Sequence, residues 1–187
     1  MNDLRNTARL AMGVLGVTEA SAASKRFAER GRVYALAQNA ARASSRRFVV
    51  VGDPNSGIHT RLQAAYGCGD ICVDLTGCPA CPTGVVVDLT RGRMPLDDNS
   101  AIVFCSCVLE YVSDPQAAWR EMVRVAGSPF NVYLVTVQTD TLTSVLYPGA
   151  RWKITRRADG GIDASAVSGE MKLATAAALG LGAYLSF

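Results

Sequence analysis

A chain of 187 residues, 49% apolar and 19% charged, holds enough apolar side chains for one buried core. It is too hydrophobic to be a disordered segment. The net charge of +3 is too weak to name a partner. It is unevenly spread, however: residues 1–48 hold nine Lys/Arg against three Asp/Glu, and the remainder holds ten against thirteen. The basic charge therefore lies ahead of a mildly acidic fold.

Residues 3–16 read as a helix, because Leu4, Ala8, Ala11 and Leu15 recur at helical spacing. Asp3 and the short apolar run "LAMGVLGV" argue against a secretory signal. Arg5 and Arg9 among Ser and Ala lend some transit-peptide character. A second helix is predicted over 22–43, anchored by Phe27, Val33, Tyr34 and Leu36. Gly31 weakens its middle by about 1 kcal/mol relative to Ala. This helix is expected to cover one edge of a sheet, with solvated arginines outside. The alternative is a basic surface for nucleic acid or anionic lipid.

Five short apolar runs follow: "RFVVV" (47–51), "ICVDL" (71–75), "GVVVDL" (84–89), "AIVFCS" (101–106) and "NVYLVTV" (131–137). Continuous Val- and Ile-rich runs suit strands buried on both faces, as in a parallel sheet. "GIHTRLQAAYG" is a plausible helix between the first two. "DPQAAWREMVRVAG" is a second, with Asp114 as N-cap, Pro115 as first helical residue and Gly127 as stop. Ala118, Met122 and Val125 form its apolar face. Alternating βα units point to a three-layer, doubly wound, mostly parallel α/β domain.

One join is irregular. Only "TGCPACPTG" separates the second and third runs, whereas a parallel crossover normally needs a dozen or more residues. Either an extended loop crosses there, or the third run is not a full parallel strand. Further on, "TDTLTSVLY" reads as a short helix, "RWKITRR" as an edge strand and "ADGGIDAS" as turn-like.

The segment 88–125 resembles class I S-adenosylmethionine-dependent methyltransferases of the type 11 kind. The matching pieces are Asp88, Pro95-Leu96-Asp97-Asp98-Asn99-Ser100, Leu109-Glu110-Tyr111-Val112 and Asp114-Pro115 with Glu121-Met122. The resemblance spans roughly 47–137. It implies a truncated Rossmann-like methyltransferase fold with S-adenosylmethionine as cofactor. It makes the turn 52–57, with Asp53, Asn55 and Gly57, the loop under the methionine moiety. Asp74 becomes the carboxylate for the ribose hydroxyls, and Asp88 the acidic residue near the adenine amino group. Cys105 to Leu109 would line the face where methyl donor meets acceptor.

The turn departs from the family pattern. Val51 or Gly52 stands where the first strand's acidic residue would be, and Asp53 and Asn55 stand where loop glycines would be; Gly57 matches. Asn55 tolerates left-handed backbone, but Pro54 removes an amide donor. Tyr111 replaces a common His and takes acid–base chemistry with it. No residue stands out as a catalytic base.

Six cysteines lie at 68, 72, 78, 81, 105 and 107. A fold of this size does not need disulfides, so reduced thiols in a cytosol-like compartment are expected; mitochondrial or virion-associated locations stay open. Cys68, Cys72, Cys78 and Cys81 match tetrahedral zinc in number. Cys72, however, falls within a predicted strand and only "CPAC" has knuckle spacing, so no metal is expected. Cys105 and Cys107 alternate on a strand and are expected to share a face. His59, the sole histidine, reads as a surface or capping residue. The uncharged tail 173–187 would reach about 22 Å as a helix, short of a ~30 Å hydrocarbon core; it is expected to be buried, to dock on a partner or to dip into a membrane.

The expected organisation is a basic helical extension (1–46), an α/β domain (47–157) and a turn-rich segment with an apolar tail (158–187). Two functions compete: a methyltransferase-like enzyme with an unknown acceptor, and a catalytically inactive descendant serving as a structural or assembly subunit of an organellar complex or virus particle. Protein partners would meet the N-terminal helices and tail; nucleic acid is not expected.

Overall fold

The computed structural model describes residues 25–54, 66–137 and 149–167. The predicted helices at 3–16 and 139–147, all but the last two residues of that at 57–67, His59 and the tail 173–187 lie outside the described residues.

The Val-rich runs pair as strands. They are β1 (Arg47–Val51), β2 (Ile71–Asp74), β3 (Gly84–Val86), β4 (Ala101–Ser106) and β5 (Val132–Val135). All pair in parallel, in the order β3-β2-β1-β4-β5. The central β1 and β4 are buried on both faces, and the edge strand β3 is largely exposed. The order reverses at β1, so a crevice opens beyond the carboxyl ends of β1, β2 and β4.

Alternate residues take opposite faces. Val49, Val51, Val103 and Cys105 pack towards α2 (Pro115–Ala126). Phe48, Val50, Ile102 and Phe104 pack on the opposite face with Ala37 and Ala41 of α1, described over 25–44. Helix α2 begins and ends where its caps dictate. Asp114 accepts a hydrogen bond from the Ala117 amide at 2.9 Å, Pro115 takes the first turn, and Gly127 closes the helix at φ 68°. A Cβ on Gly127 would lie 2.0 Å from Asn99 Oδ1, so no other residue fits there without displacing Asn99.

Several expectations are corrected. Helix α1 covers a face of the sheet, not an edge. Its alanines let it sit close over β1 and β4, and its packed stripe is Val33, Tyr34, Ala37, Ala40 and Ala41. Phe27 and Leu36, expected as anchors, are off that stripe and exposed. The third run pairs in parallel but over three residues only, because the loop 75–83 is too short to carry a helix. "RWKITRR" is not an edge of the main sheet. It forms β6 (Trp152–Arg156), antiparallel to β7 (Ile162–Ala166), and the segment read as turn-like supplies both the turn and β7. This hairpin crosses residue 157. Ile154 and Ile162 enter the α2-side core, and the Arg156 guanidinium stacks 4.6 Å above Trp119.

The thiols are also corrected. Cys68–Cys81 and Cys72–Cys78 are disulfides, while Cys105 and Cys107 are free. Cys105 and Cys107 do not share a face. Residue 107 has left the strand at φ 55°, which turns its side chain towards the α1 layer while Cys105 stays under α2.

Candidate functional site

A cleft of about 700 Å³ lies at the carboxyl ends of β1 to β4. It is lined by the strand ends themselves, by Arg26 and Arg30 of α1 and by the loop after β4. Asp74, the last residue of β2, pairs in register with Val86, so Asp88 stands just beyond the end of the neighbouring strand. Both carboxylates line the cleft, as does Asp53 after β1. Parallel pairing is what brings residues 53, 74 and 88 together: every strand delivers its carboxyl end to the same edge.

The carboxylates are held in place by their own turns. Asp74 Oδ1 accepts from the Thr76 amide at 2.8 Å and hydroxyl at 2.9 Å, and its Oδ2 accepts from the Asp53 amide at 3.2 Å. Asp88 Oδ1 accepts from the Thr90 amide at 3.0 Å and hydroxyl at 2.6 Å. Those two Thr90 bonds hold the Asp88 carboxyl below its ordinary range, so it is anionic at neutral pH.

Gly52 shapes the floor. Its φ is +97°, and a Cβ there would lie 2.7 Å from Val108 Cγ2. Its amide donates to Val73 O at 2.9 Å, which seals β1 to β2 at the cleft mouth. Gly52→Ala is expected to lower unfolding stability by about 2 kcal/mol, combining left-handed strain with the clash. Urea denaturation of the two proteins measures it; equal midpoints would show that the turn relaxes freely.

Arg26 and Arg30 reach the cleft from α1, and Arg30 Nη2 lies 3.0 Å from Cys107 Sγ. Tyr66 and Tyr111 also line the cleft. Burial pushes both phenols up to about 12, and it pushes the Cys107 thiol up as well. All three are protonated at neutral pH and none is an anionic nucleophile there. The apolar lining includes Leu75, Leu89 and Val108, with Leu75 65% exposed beside Asp74.

The sequence matches a family model described as a methyltransferase domain over residues 35–128. The chain belongs to the methyltransferase domain family. No curated protein and no solved structure matches. The methyltransferase match begins within α1, the helix that shares a core with the sheet and sends Arg30 into the cleft. The five parallel strands are those of the Rossmann-like methyltransferase fold.

Of the residues singled out from sequence in this methyltransferase domain, Asp53, Asp74 and Asp88 converge. Asn55 and Gly57 lie outside the described residues. Cys105 is fully buried in the α2-side core and does not line the cleft; Ser106 and Cys107 do, because the strand ends there and the chain turns outward. Sequence reasoning passed over Arg26 and Arg30 as cleft residues. A signal for Arg26 and Arg30 exists in their spacing, one helical turn apart and in step with the apolar stripe at Val33, Tyr34 and Ala37. Among the described residues, no helix is long and apolar enough to cross a membrane.

Proposed function

We propose that this domain binds S-adenosylmethionine in the cleft and transfers its methyl group to an acceptor nucleophile. The observation that carries the reading is the convergence of Asp74 and Asp88 on one crevice at the switch in strand order. The residues present suit the cofactor part by part. The cleft volume is within the range of small-molecule sites. A carboxylate such as Asp74 grips a vicinal diol through charge-assisted hydrogen bonds. Asp88 suits an amino group, and the exposed Leu75 with Leu89 and Val108 supplies an apolar wall for a planar base. Asp53 tolerates a cationic sulfonium but not a carboxylate; Arg26 and Arg30, which also line the cleft, supply the opposite charge.

The cofactor would bring an activated methyl group that needs no metal or proton transfer to leave. The chain's own contribution is then orientation: fixed carboxylates, a shaped floor at Gly52 and a dry wall. Positioning of this kind is worth several kcal/mol of barrier. No cleft residue among those described stands as a general base, so the acceptor must be nucleophilic when it arrives or be activated by its own surroundings.

The second reading is a methyltransferase-like subunit without catalysis, built into a larger assembly. Its support is the altered turn, where Asp53-Pro54 replaces small, donor-bearing residues, and the full internal use of Asp74 by Thr76 and Asp53.

Calorimetric titration with S-adenosylmethionine or S-adenosylhomocysteine separates the two. Micromolar binding is expected, and Asp74→Asn is expected to weaken it roughly 10- to 100-fold, the worth of a hydrogen bond to a charged group. Asn keeps the shape and still accepts the Thr76 bonds, but its NH2 faces the Asp53 amide, so a small drop in thermal stability of the free protein is expected beside the loss of binding. Absence of heat at millimolar ligand sinks the enzyme reading and favours the subunit.

A further inference from the structure

Four sulfurs meet where the missing crossover helix would be. Cys72 lies inside β2, Cys78 and Cys81 lie in the loop 75–83, and Cys68 precedes β2. The Cys72, Cys78 and Cys81 sulfurs lie within 4.8 Å of one another, and Cys68 is bonded to Cys81. Cys72, Cys78 and Cys81 are buried, and Cys68 packs against them. We propose that the reduced chain holds one zinc ion on Cys68, Cys72, Cys78 and Cys81, and that the two disulfides are the oxidised, metal-free form of the same site.

The two bridges lie side by side, so their opening leaves four thiols in one place. A tetrahedral zinc with bonds of about 2.3 Å sets its sulfurs about 3.8 Å apart. Three of the sulfurs already lie within 4.8 Å of one another, and Cys68, held beside Cys81 by its bond, completes the set once the bridges open and the side chain at 68 rotates inward. Cys78-Pro79-Ala80-Cys81 has the two-residue spacing of a zinc knuckle, and its turn is closed by the Cys81 amide donating to Cys78 O at 2.9 Å. The strand position of Cys72, which argued against a metal from sequence, is what aims its sulfur at the knuckle: β2 is short, and the chain returns alongside it at Thr83, whose carbonyl accepts from the Cys72 amide at 3.2 Å. A nine-residue crossover without a helix has few apolar contacts of its own. A buried metal or a pair of disulfides fastens it to β2, two residues from Asp74.

The chemistry balances. Each disulfide takes two electrons and two protons from a dithiol reductant, which becomes a disulfide itself. The four thiols then release four protons as four zinc–sulfur bonds form, leaving a tetrathiolate of charge −2. In this form the site does not depend on an oxidising compartment.

The test uses the full chain purified in a non-thiol reductant with zinc present. Elemental analysis is expected to find one zinc ion per chain after gel filtration. Under native conditions the four ligand thiols resist alkylation until a mercurial displaces the metal, whereas Cys105→Ser leaves the zinc content unchanged. Cobalt replacing zinc is expected to give the visible bands of a tetrahedral tetrathiolate, and Cys81→Ser to lose or shift them. If Cys81→Ser does not fold, the wild-type cobalt spectrum and alkylation pattern decide. A reduced, folded chain with only trace metal and four freely alkylated thiols overturns the proposal. Binding of S-adenosylmethionine is not part of the readout, so failure here leaves the cofactor reading untouched.

Discussion

Arg124→Ala is expected to lower unfolding stability by about 3 kcal/mol. Arg124 is the clasp between α2 and the segment leading into β4. Its guanidinium donates to Glu121 through Nε at 2.9 Å and Nη2 at 2.6 Å, and its Nη1 donates to Leu96 O at 2.9 Å and to Asp98. Glu121 is only 9% exposed and also accepts from the Met94 amide at 2.7 Å. Removing the arginine strands that carboxylate in a nearly closed site, and the stranded charge costs more than the lost bonds. Burial pushes the Glu121 carboxyl up, but the Arg124 and Met94 hydrogen bonds outweigh it and hold the carboxyl below its ordinary range. The sign follows: the pair's contribution is present above the ordinary carboxylate pKa of about 4.3 and is lost as pH falls through the lowered folded value. The variant is therefore expected to show its full deficit at pH 7 and a smaller one near pH 4. Chemical denaturation at the two pH values measures this. A deficit independent of pH would mean that packing of the arginine stem, not its charge, holds the segment.

Glu110 titrates in the opposite sense. It is fully buried just past β4; its Oε1 accepts from the Val137 amide, and its Oε2 has no partner among the described residues. Its backbone carbonyl accepts from the Arg151 and Trp152 amides, which ties the β6–β7 hairpin to the segment that follows β4. Burial raises the carboxyl to about 7, with the Val137 bond opposing only part of the rise. Below about pH 4.5 the group is protonated in both folded and unfolded chains. Between there and about pH 7 the unfolded chain gives up the proton while the folded chain keeps it, so stability falls as pH rises. The loss from this group amounts to about 3 kcal/mol once pH exceeds the folded value. Glu110→Gln keeps an acceptor for Val137 and removes the charge. It is expected to be more stable than the parent at pH 8 by up to that amount, and equal or slightly weaker at pH 4.5. Parallel stability curves for the two proteins across this range would refute the assignment. Because Glu110 does not line the cleft, cofactor affinity at pH 6 is expected to change little.

Much of this molecule follows from local rules that act within a few residues. The Val-rich runs, the Asp114-Pro115 start and Gly127 stop of α2, and the acidic ends of the second and third strands are all read directly from the chain, because periodicity, caps and strand length are short-range properties. The block 88–125 also carries the family, and the match over 35–128 agrees with it. What the sequence by itself determined is thus a parallel α/β domain of the methyltransferase family with Asp74 and Asp88 at strand ends. Only the tertiary structure decided which distant side chains share a space. Helix α1 looked like an extension because its arginines read as solvent-facing; its alanine stripe instead seats it on the sheet and carries Arg26 and Arg30 over the cleft. Cys105 looked like a site residue, but the end of β4 falls one residue later, so its neighbours face the cleft while it stays in the core. Cys72 looked isolated in a strand, yet the short crossover folds the knuckle back onto it. In each case the deciding quantity is the position of a second segment far away in sequence, and chain closure and packing set that position rather than any local preference.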